Sequence, residues 1–359
     1  MAHPSMLTNP CDSPSARMVL SVTVAGTREA FAGGEAAARA LPVSSAAPPR
    51  HDIASLDGLR AVSVLIVFMS HAGLGHVVPG GLGVTVFFFL SGFLITTLLR
   101  RGWARTGTLS ITRFYLRRIL RLAPPLLLTL AISYGLVLSG WLTGGASWQG
   151  FMAQVLYFAN YYALFFEGGN SVPQGTGVLW SLAVEEHFYL VYPLLFLWLA
   201  RARPTRAAAV LTLLCLAALA WRIHLAGQIG FHHDRTYYAS DTRMDSILWG
   251  CILALVANPL DPPPPADPSR PGPGSLKALL VGLVLLGLTL VIRNDWARET
   301  IRYTMQGVAL MPIFHLVVRY PRHPLIRPLN WPWVRRLGVY SYAIYLIHHV
   351  VLRLLESGL

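Results

Sequence analysis

From Leu56 onward, long apolar runs alternate with short polar segments, most of them basic. The runs fall at about 56–76, 82–99, 122–140, 151–166, 178–199, 207–226, 243–257, 276–292, 303–319 and 337–355. A helix crosses a bilayer with about 20 largely apolar residues, so the pattern predicts an all-α, polytopic membrane protein of about ten transmembrane helices. Pro262 to Pro265 and the Pro/Gly cluster after them cannot continue a helix, which makes 258–275 an exposed loop between the seventh and eighth runs. Residues 1–50 are rich in Ala, Pro, Ser and Gly. Their one apolar patch, Met18 to Val24, lacks the length and basic flank of a secretory signal. The expected organisation is a disordered tail over 1–50 and a transmembrane domain over 51–356, with targeting left to the first helix. No internal repeat is evident.

Composition sharpens this reading. Only 13% of residues are charged and 54% are hydrophobic, with a mean hydropathy of +0.51. Average soluble chains hold roughly 25% charged residues, so a large soluble domain is excluded. The net charge of +13 comes from basic residues placed between apolar runs, where positive-inside topology explains them, and nucleic acid is not an expected partner. Cys11, Cys215 and Cys251 have no paired spacing for zinc or a disulfide framework. Arg100, Arg101, Arg105, Arg113, Arg117, Arg118 and Arg121 occur without an intervening acid, which places that loop and the N-terminus in the cytoplasm. If all ten runs span, Arg201, Arg203 and Arg206 fall outside, as do Arg319, Arg322, Arg327, Arg335 and Arg336. Letting run 151–166 re-enter brings both groups inside, and its neighbours Gln154, Asn160 and Glu167 suit that course, so nine or ten crossings are expected.

Ionisable groups within apolar spans are costly, about 2.5 to 3.5 kcal/mol each, and so call for a reason. Arg60 and His71 are separated by ten residues in the first span. Eleven steps of about 100° return the helix to the same face after about 16 Å of rise, with Arg60 at the rim and His71 at depth. An anion held at the rim would present a reactive carbonyl to the imidazole. The competing structural reading pairs Arg60 with Asp57 and lets His71 bond a neighbouring helix. The second span carries Ser91 in an aromatic, glycine-containing setting. The fifth holds Glu185, Glu186 and His187; neighbouring side chains point about 100° apart, so the two carboxylates are not expected to share one cavity. Asp241 and Asp245 flank Arg243 and either open a solvated helix or pin a cavity arginine. In the last run Ser341 and His348 share a face while His349 is expected to point elsewhere, and His232-His233 is expected to be a solvated loop pair. No His-Glu-x-x-His pattern occurs, and no metal is expected.

Taken together, these residues resemble the acyltransferase 3 family of integral membrane acyltransferases from about Ile53 to Leu352. The family's Arg, ten residues, His signature matches Arg60 and His71. Its Gly-Phe-Val-like element matches Gly81-Leu82-Gly83-Val84, its Ser-Gly-x-Leu element Ser91 to Leu94, and its arginine-rich element Arg117-Arg118-x-x-Arg121 ahead of Pro124. The Trp-Ser-Leu-x-Val-Glu-x-x-Phe-Tyr element is Trp180 to Tyr189, which selects Glu185 over Glu186. The resemblance implies transfer of an acyl group, usually acetyl, from cytoplasmic acyl-coenzyme A to a hydroxyl of a sugar, an envelope glycan or a macrolide-type metabolite. It implies His71 and Glu185 as catalytic residues, and Arg60, Arg117, Arg118, Arg121 and Ser91 on the donor. Arg243 and His348 fall on the acceptor side. Many members carry a soluble hydrolase-like domain after the last span; this sequence ends at Leu359, so transfer without relay to such a domain is expected. The implied partners are a small-molecule or glycan acceptor and membrane lipid, with oligomeric state unassigned. The readings from other classes are a transporter or flippase of a lipid-linked sugar, with buried charges lining a path, and an inactive scaffold member.

Overall fold

The computed structural model describes residues 54–166, 171–230 and 233–358. The tail expected over 1–50 lies outside the described residues, as do Glu167 and His232. The described residues form fourteen α-helices and no strand: α1 (Ala54–Met69), α2 (Gly80–Thr106), α3 (Ile111–Leu138), α4 (Trp148–Val155), α5 (Ala159–Phe165), α6 (Trp180–Leu199), α7 (Pro204–Ile229), α8 (His233–Tyr238), α9 (Ser240–Val256), α10 (Pro273–Val291), α11 (Asp295–Glu299), α12 (Arg302–Arg319), α13 (Pro332–Val339) and α14 (Ser341–Glu356).

The all-α, polytopic architecture is the one the apolar pattern predicts. Six helices, α1, α2, α3, α6, α7 and α10, are long and apolar enough to cross a membrane, and a seventh span results if α13 and α14, bent by 72°, count as one. Helix α9, with 17 residues, is too short and also carries Asp241, Arg243 and Asp245, while the 18 residues of α12 include Arg302, Gln306 and Arg319 and are not apolar enough. Run 151–166 folds as α4 and α5, of 8 and 7 residues. At 1.5 Å per residue neither reaches about half of a 30 Å hydrocarbon layer, so α3 and α6 are successive crossings. With that course, Arg201, Arg203, Arg206, Arg319, Arg322, Arg327, Arg335 and Arg336 all come to the end of the bundle where α2 meets α3. Contacts there are direct: Ser55 Oγ donates to Asn330 Oδ1 at 3.1 Å, Arg100 pairs with Asp261 at 2.9 Å, and Arg319 donates to the Pro262 carbonyl at 3.0 Å.

At 27 and 28 residues, α2 and α3 are each about 40 Å long and overrun the hydrocarbon layer. The arginine-rich segment is therefore mostly helical rim, with a turn only at Gly107 to Ser110, where the Ser110 hydroxyl caps the Arg113 N–H.

Helix α9 sits at the centre of the bundle, with nearly all of its residues buried among α2, α6, α7 and α12. In lipid the hydrophobic effect gives no preference for helix on helix over helix on lipid, so close backbone approach matters. Gly92 lies against the Ile247 carbonyl and Gly250 against the Phe89 carbonyl, and a Cβ at either would collide with that oxygen. The polar residues of α9 are taken up by neighbours. Arg222 of α7 grips Asp245 with both guanidinium nitrogens, at 2.7 and 3.0 Å, and also donates to the Thr242 and Thr300 carbonyls. Asp241 pairs with Arg235 at 2.5 Å. Both alternatives read from the sequence are thus met in part: the exposed Asp241 sits in the first turn of α9, and Asp245 pins a buried arginine, which is Arg222 and not Arg243. His233 is exposed as expected, but it opens α8 instead of lying in a loop, and it pairs with Glu299 at 2.9 Å. Burial would raise the Glu299 carboxyl, but hydrogen bonds from His233 and Thr236 outweigh it and hold the group below the usual carboxylate range.

Candidate active site

Three imidazoles meet where α1 ends. Beyond Met69 the chain continues as a π-helical turn over Ser70–Leu74, and His71 lies in that turn facing α14. Its Nδ1 is 3.0 Å from His348 Nε2, and its ring stacks on His349 with centroids 4.4 Å apart and planes 18° from parallel. His349 therefore joins the site, contrary to the expectation that it points elsewhere. One ring inserted beside two consecutive residues of a helix can meet both when it bonds the first edge-on and stacks on the second. Gly175, with φ of 87°, makes the approach of α14 feasible: a Cβ there would stand 2.7 Å from Val350 Cα.

The hydrogen bonds dictate the tautomers of neutral rings. His348 Nδ1 is 2.8 Å from the Tyr345 carbonyl oxygen, which only accepts, so Nδ1 carries the proton and Nε2 the lone pair. His71 Nδ1–H must then donate to His348 Nε2, which leaves the lone pair of His71 on Nε2. Tyr345 is fixed in turn by the Ser181 hydroxyl at 2.7 Å.

A second pole lies toward the arginine-bearing end of the bundle. Gly80 abuts Ser70, and Ser91 comes eleven residues later on α2, about 16 Å inward and level with Arg60. Ser91 donates to Glu185 Oε1 at 2.7 Å, while Arg118 Nε pairs with Glu186 Oε1 at 3.0 Å and its guanidinium covers the Tyr189 ring. Arg60 and Arg118 both lie within Coulombic range of Glu185, and Arg121 within range of Arg60 and Arg118. The two adjacent glutamates thus share one arginine field despite diverging by about 100°, because Arg118 of α3 bonds Glu186 and lies within Coulombic range of Glu185. Glu185 bonds a serine and none of the histidines. Arg60 pairs with Asp57 at 2.9 Å, and His71 bonds a neighbouring helix, so both structural pairings foreseen in the sequence are present. Arg121 and Arg117 are exposed and have no ionic or hydrogen-bonded partner among the described residues; Arg117, one step round the helix from Arg118, does not join the cluster.

Arg243 occupies a separate setting on α9. It is fully buried, donates to the Thr85 hydroxyl at 3.1 Å, and leaves Nε and Nη1 without hydrogen-bond partners. Aromatic rings surround it: Tyr303 with its centroid at 3.9 Å, then Tyr237, Phe88 and Trp180 between 5.2 and 5.9 Å. Cation–π attraction offsets part of the cost of burying this charge. The cage shares α2 with the imidazole pole, since Phe87 packs on Tyr345 beside His348 while Phe88 packs on Trp180.

Sequence reasoning missed His349, Tyr345 and Arg222. The His348-His349 doublet was the available signal for the first, while Arg222 was visible as a charge inside an apolar run. Among the described residues, no group of three His, Cys, Asp or Glu side chains is arranged to hold a metal ion.

A family model described as an acyltransferase domain matches residues 53–359. The chain is 31% identical, over 84% of its length, to a putative peptidoglycan O-acetyltransferase of Bacillus subtilis, YrhL, of which the match covers 48%. It is 29% identical to the peptidoglycan O-acetyltransferase OatA of Listeria monocytogenes, over 85% of this chain and 50% of that one. A putative O-acetyltransferase of Staphylococcus aureus is 28% identical, with 85% and 51% covered. The chain thus spans about half the length of the curated relatives it matches. No solved structure matches it.

Proposed function

The chain belongs to the acyltransferase family that this domain defines, and from that premise we propose that it moves an acyl group, acetyl foremost, from acyl-coenzyme A to a hydroxyl of a cell-envelope glycan. The observation that carries the reading is the bare Nε2 of His71, whose tautomer His348 fixes in the turn that ends the helix bearing Arg60. Relatives described as acting on peptidoglycan favour a glycan over a macrolide-type acceptor.

In this reading the protein is a multi-pass membrane enzyme with its N-terminus and arginine-rich end in the cytoplasm. Arg60, Arg118 and Arg121 hold the donor's phosphates by charge-assisted hydrogen bonds, with Arg117 at the approach. Ser91, tied to Glu185, lines the path of the acyl arm, and Glu185 keeps the arginine field in place. At the imidazole pole His71 Nε2 accepts the acceptor's hydroxyl proton as the oxygen attacks the thioester carbonyl. The C–S bond breaks, and the thiolate leaves as coenzyme A after taking that proton from the imidazolium. His348 is a positioning residue, because it fixes the tautomer and orientation of His71. Arg243 offers its two unpartnered nitrogens, Nε and Nη1, to the acceptor's oxygens from within the aromatic cage.

Purified chain in lipid nanodiscs, given acetyl-coenzyme A and glycan fragments, tests the reading by release of free thiol and by mass spectrometry of the glycan. Thiol release that requires the glycan, with a matching mass gain of one acetyl group, is expected. No thiol release, together with movement of a lipid-linked sugar across vesicles, would instead establish the transporter reading.

A further inference from the structure

The arginine-bearing end of the bundle holds an open groove of about 420 Å³, within the usual range of small-ligand sites, lined by Arg322, Pro324, Arg327, Pro328 and Trp331. We infer that this groove seats the phosphorylated adenosine end of the acyl-coenzyme A donor, with Trp331 stacking on the base and Arg322 and Arg327 holding phosphate. The inference rests on the donor proposed above and extends it to residues that none of the sequence motifs includes.

Position and reach support it. Between the thioester and the pyrophosphate of coenzyme A lie about thirteen bonds, which extend to about 15 Å at the reach of a peptide chain. That matches the rise of about 16 Å from His71 to Arg60, so a thioester at His71 puts the pyrophosphate level with Arg60. Everything beyond the pyrophosphate must lie rimward of Arg60, along the first turns of α1. The segment packed there is the one that forms the groove wall: Ser55 bonds Asn330, and Gly58 lies against Leu329, directly after Arg327 and Pro328.

Chemistry agrees with position. No acidic residue occurs between Glu299 and Glu356, so the groove's cations meet no carboxylate from their own segment. The Arg327 guanidinium has no ionic or hydrogen-bonded partner among the described residues, and Asp267, the acid within Coulombic range of Arg322, is already engaged by Ser269 and Arg270. Trp331 is 46% exposed in the groove it lines with the two arginines, and its ring is steadied by Trp333, with centroids 6.0 Å apart. Pro324 and Pro328 restrict the backbone that carries them, so little order is lost on binding.

The test compares two donors on the full chain in nanodiscs, acetyl-coenzyme A and S-acetylpantetheine, which lacks the nucleotide. In the wild type, acetyl-coenzyme A is expected to be preferred in kcat/KM. In the Arg327→Gln/Trp331→Ala double variant that preference should fall by about tenfold or more, the size of a lost charge-assisted contact, through KM rather than kcat. An unchanged preference, or an equal loss with both donors, overturns the inference. A loss that appears only when the discs contain phosphatidylglycerol, and equally for both donors, would assign the groove to a lipid headgroup and likewise overturn it. A wild type that uses S-acetylpantetheine with no preference for the full donor overturns the groove alone, whereas a wild type that uses neither overturns the donor reading with it.

Discussion

Replacing His348 by alanine isolates what the imidazole chain contributes. The substitution removes the acceptor 3.0 Å from His71 Nδ1 and leaves His71 free to carry its proton on either nitrogen. One hydrogen bond contributes about 1 kcal/mol net, and about 1 to 3 kcal/mol when its loss strands a buried partner. His71 is half-buried, so the barrier should rise within that range and kcat should fall about 5- to 160-fold. Loss of a general base itself amounts to about 10²- to 10⁴-fold, so His348→Ala should retain clearly more activity than His71→Ala. Glutamine at 348 restores an acceptor oxygen near the former Nε2, and should recover much of the rate. The assay is thiol release under donor saturation at matched protein level, with thermal unfolding as a control for the buried ring. Wild-type turnover in His348→Ala would refute the tautomer argument. So would a loss as deep as that of His71→Ala which glutamine does not relieve.

Breaking the buried Arg222–Asp245 pair from one side should destabilise the bundle by about 3 to 5 kcal/mol, whereas Arg222→Met with Asp245→Leu should cost much less; thermal unfolding in detergent decides, and equal losses would contradict the assignment of an uncompensated charge. Arg60→Ala and Arg121→Ala should each raise the requirement for acyl-coenzyme A more than that for acceptor, by about 10- to 150-fold, with Arg→Lys restoring only part because lysine lacks the planar fork. Titration of initial rates against donor checks this, and an unchanged donor requirement refutes it. A cysteine placed in the turn from Gly107 to Ser110 should resist impermeant reagents in intact cells and react after permeabilisation; labelling of intact cells would invert the topology and put the donor site on the wrong face.

The helices were legible because lipid-facing surface demands apolar runs, and nine of the ten runs coincide with long helices or, at the last, with a bent pair. The break at Tyr340 between α13 and α14 was not visible, since the residues on both sides suit a helix and the 72° turn comes from α13 packing Gly338 against the Asp57 carbonyl. Charge asymmetry, rather than hydropathy, singled out run 151–166 as the candidate for re-entry while leaving nine or ten crossings open, and that run folds as two short helices. Within the site, helical period alone put Arg60 and His71 on one face, an expectation drawn for a straight helix, whereas His71 lies in a π-helical turn beyond the end of α1. The partner of Arg222 was not legible, because a pair between α7 and α9 depends on which helices become neighbours. His349 was set aside on the same angular rule that united Arg60 and His71; the rule describes one straight helix, and His71 sits in a π-turn that meets a second one.

The central claim is that His71 Nε2 takes a proton during acyl transfer, and His71→Gln tests it most directly. Glutamine keeps hydrogen-bonding groups at a similar reach but cannot accept a proton near neutral pH. The measurement is acetyl transfer from acetyl-coenzyme A to the glycan acceptor by His71→Gln protein in nanodiscs, at matched amount and with donor binding followed in parallel. The account predicts a fall in transfer of about 10²-fold or more with donor binding retained. Near-normal transfer would show that His71 only packs the ends of α1 and α14 and that the base lies elsewhere.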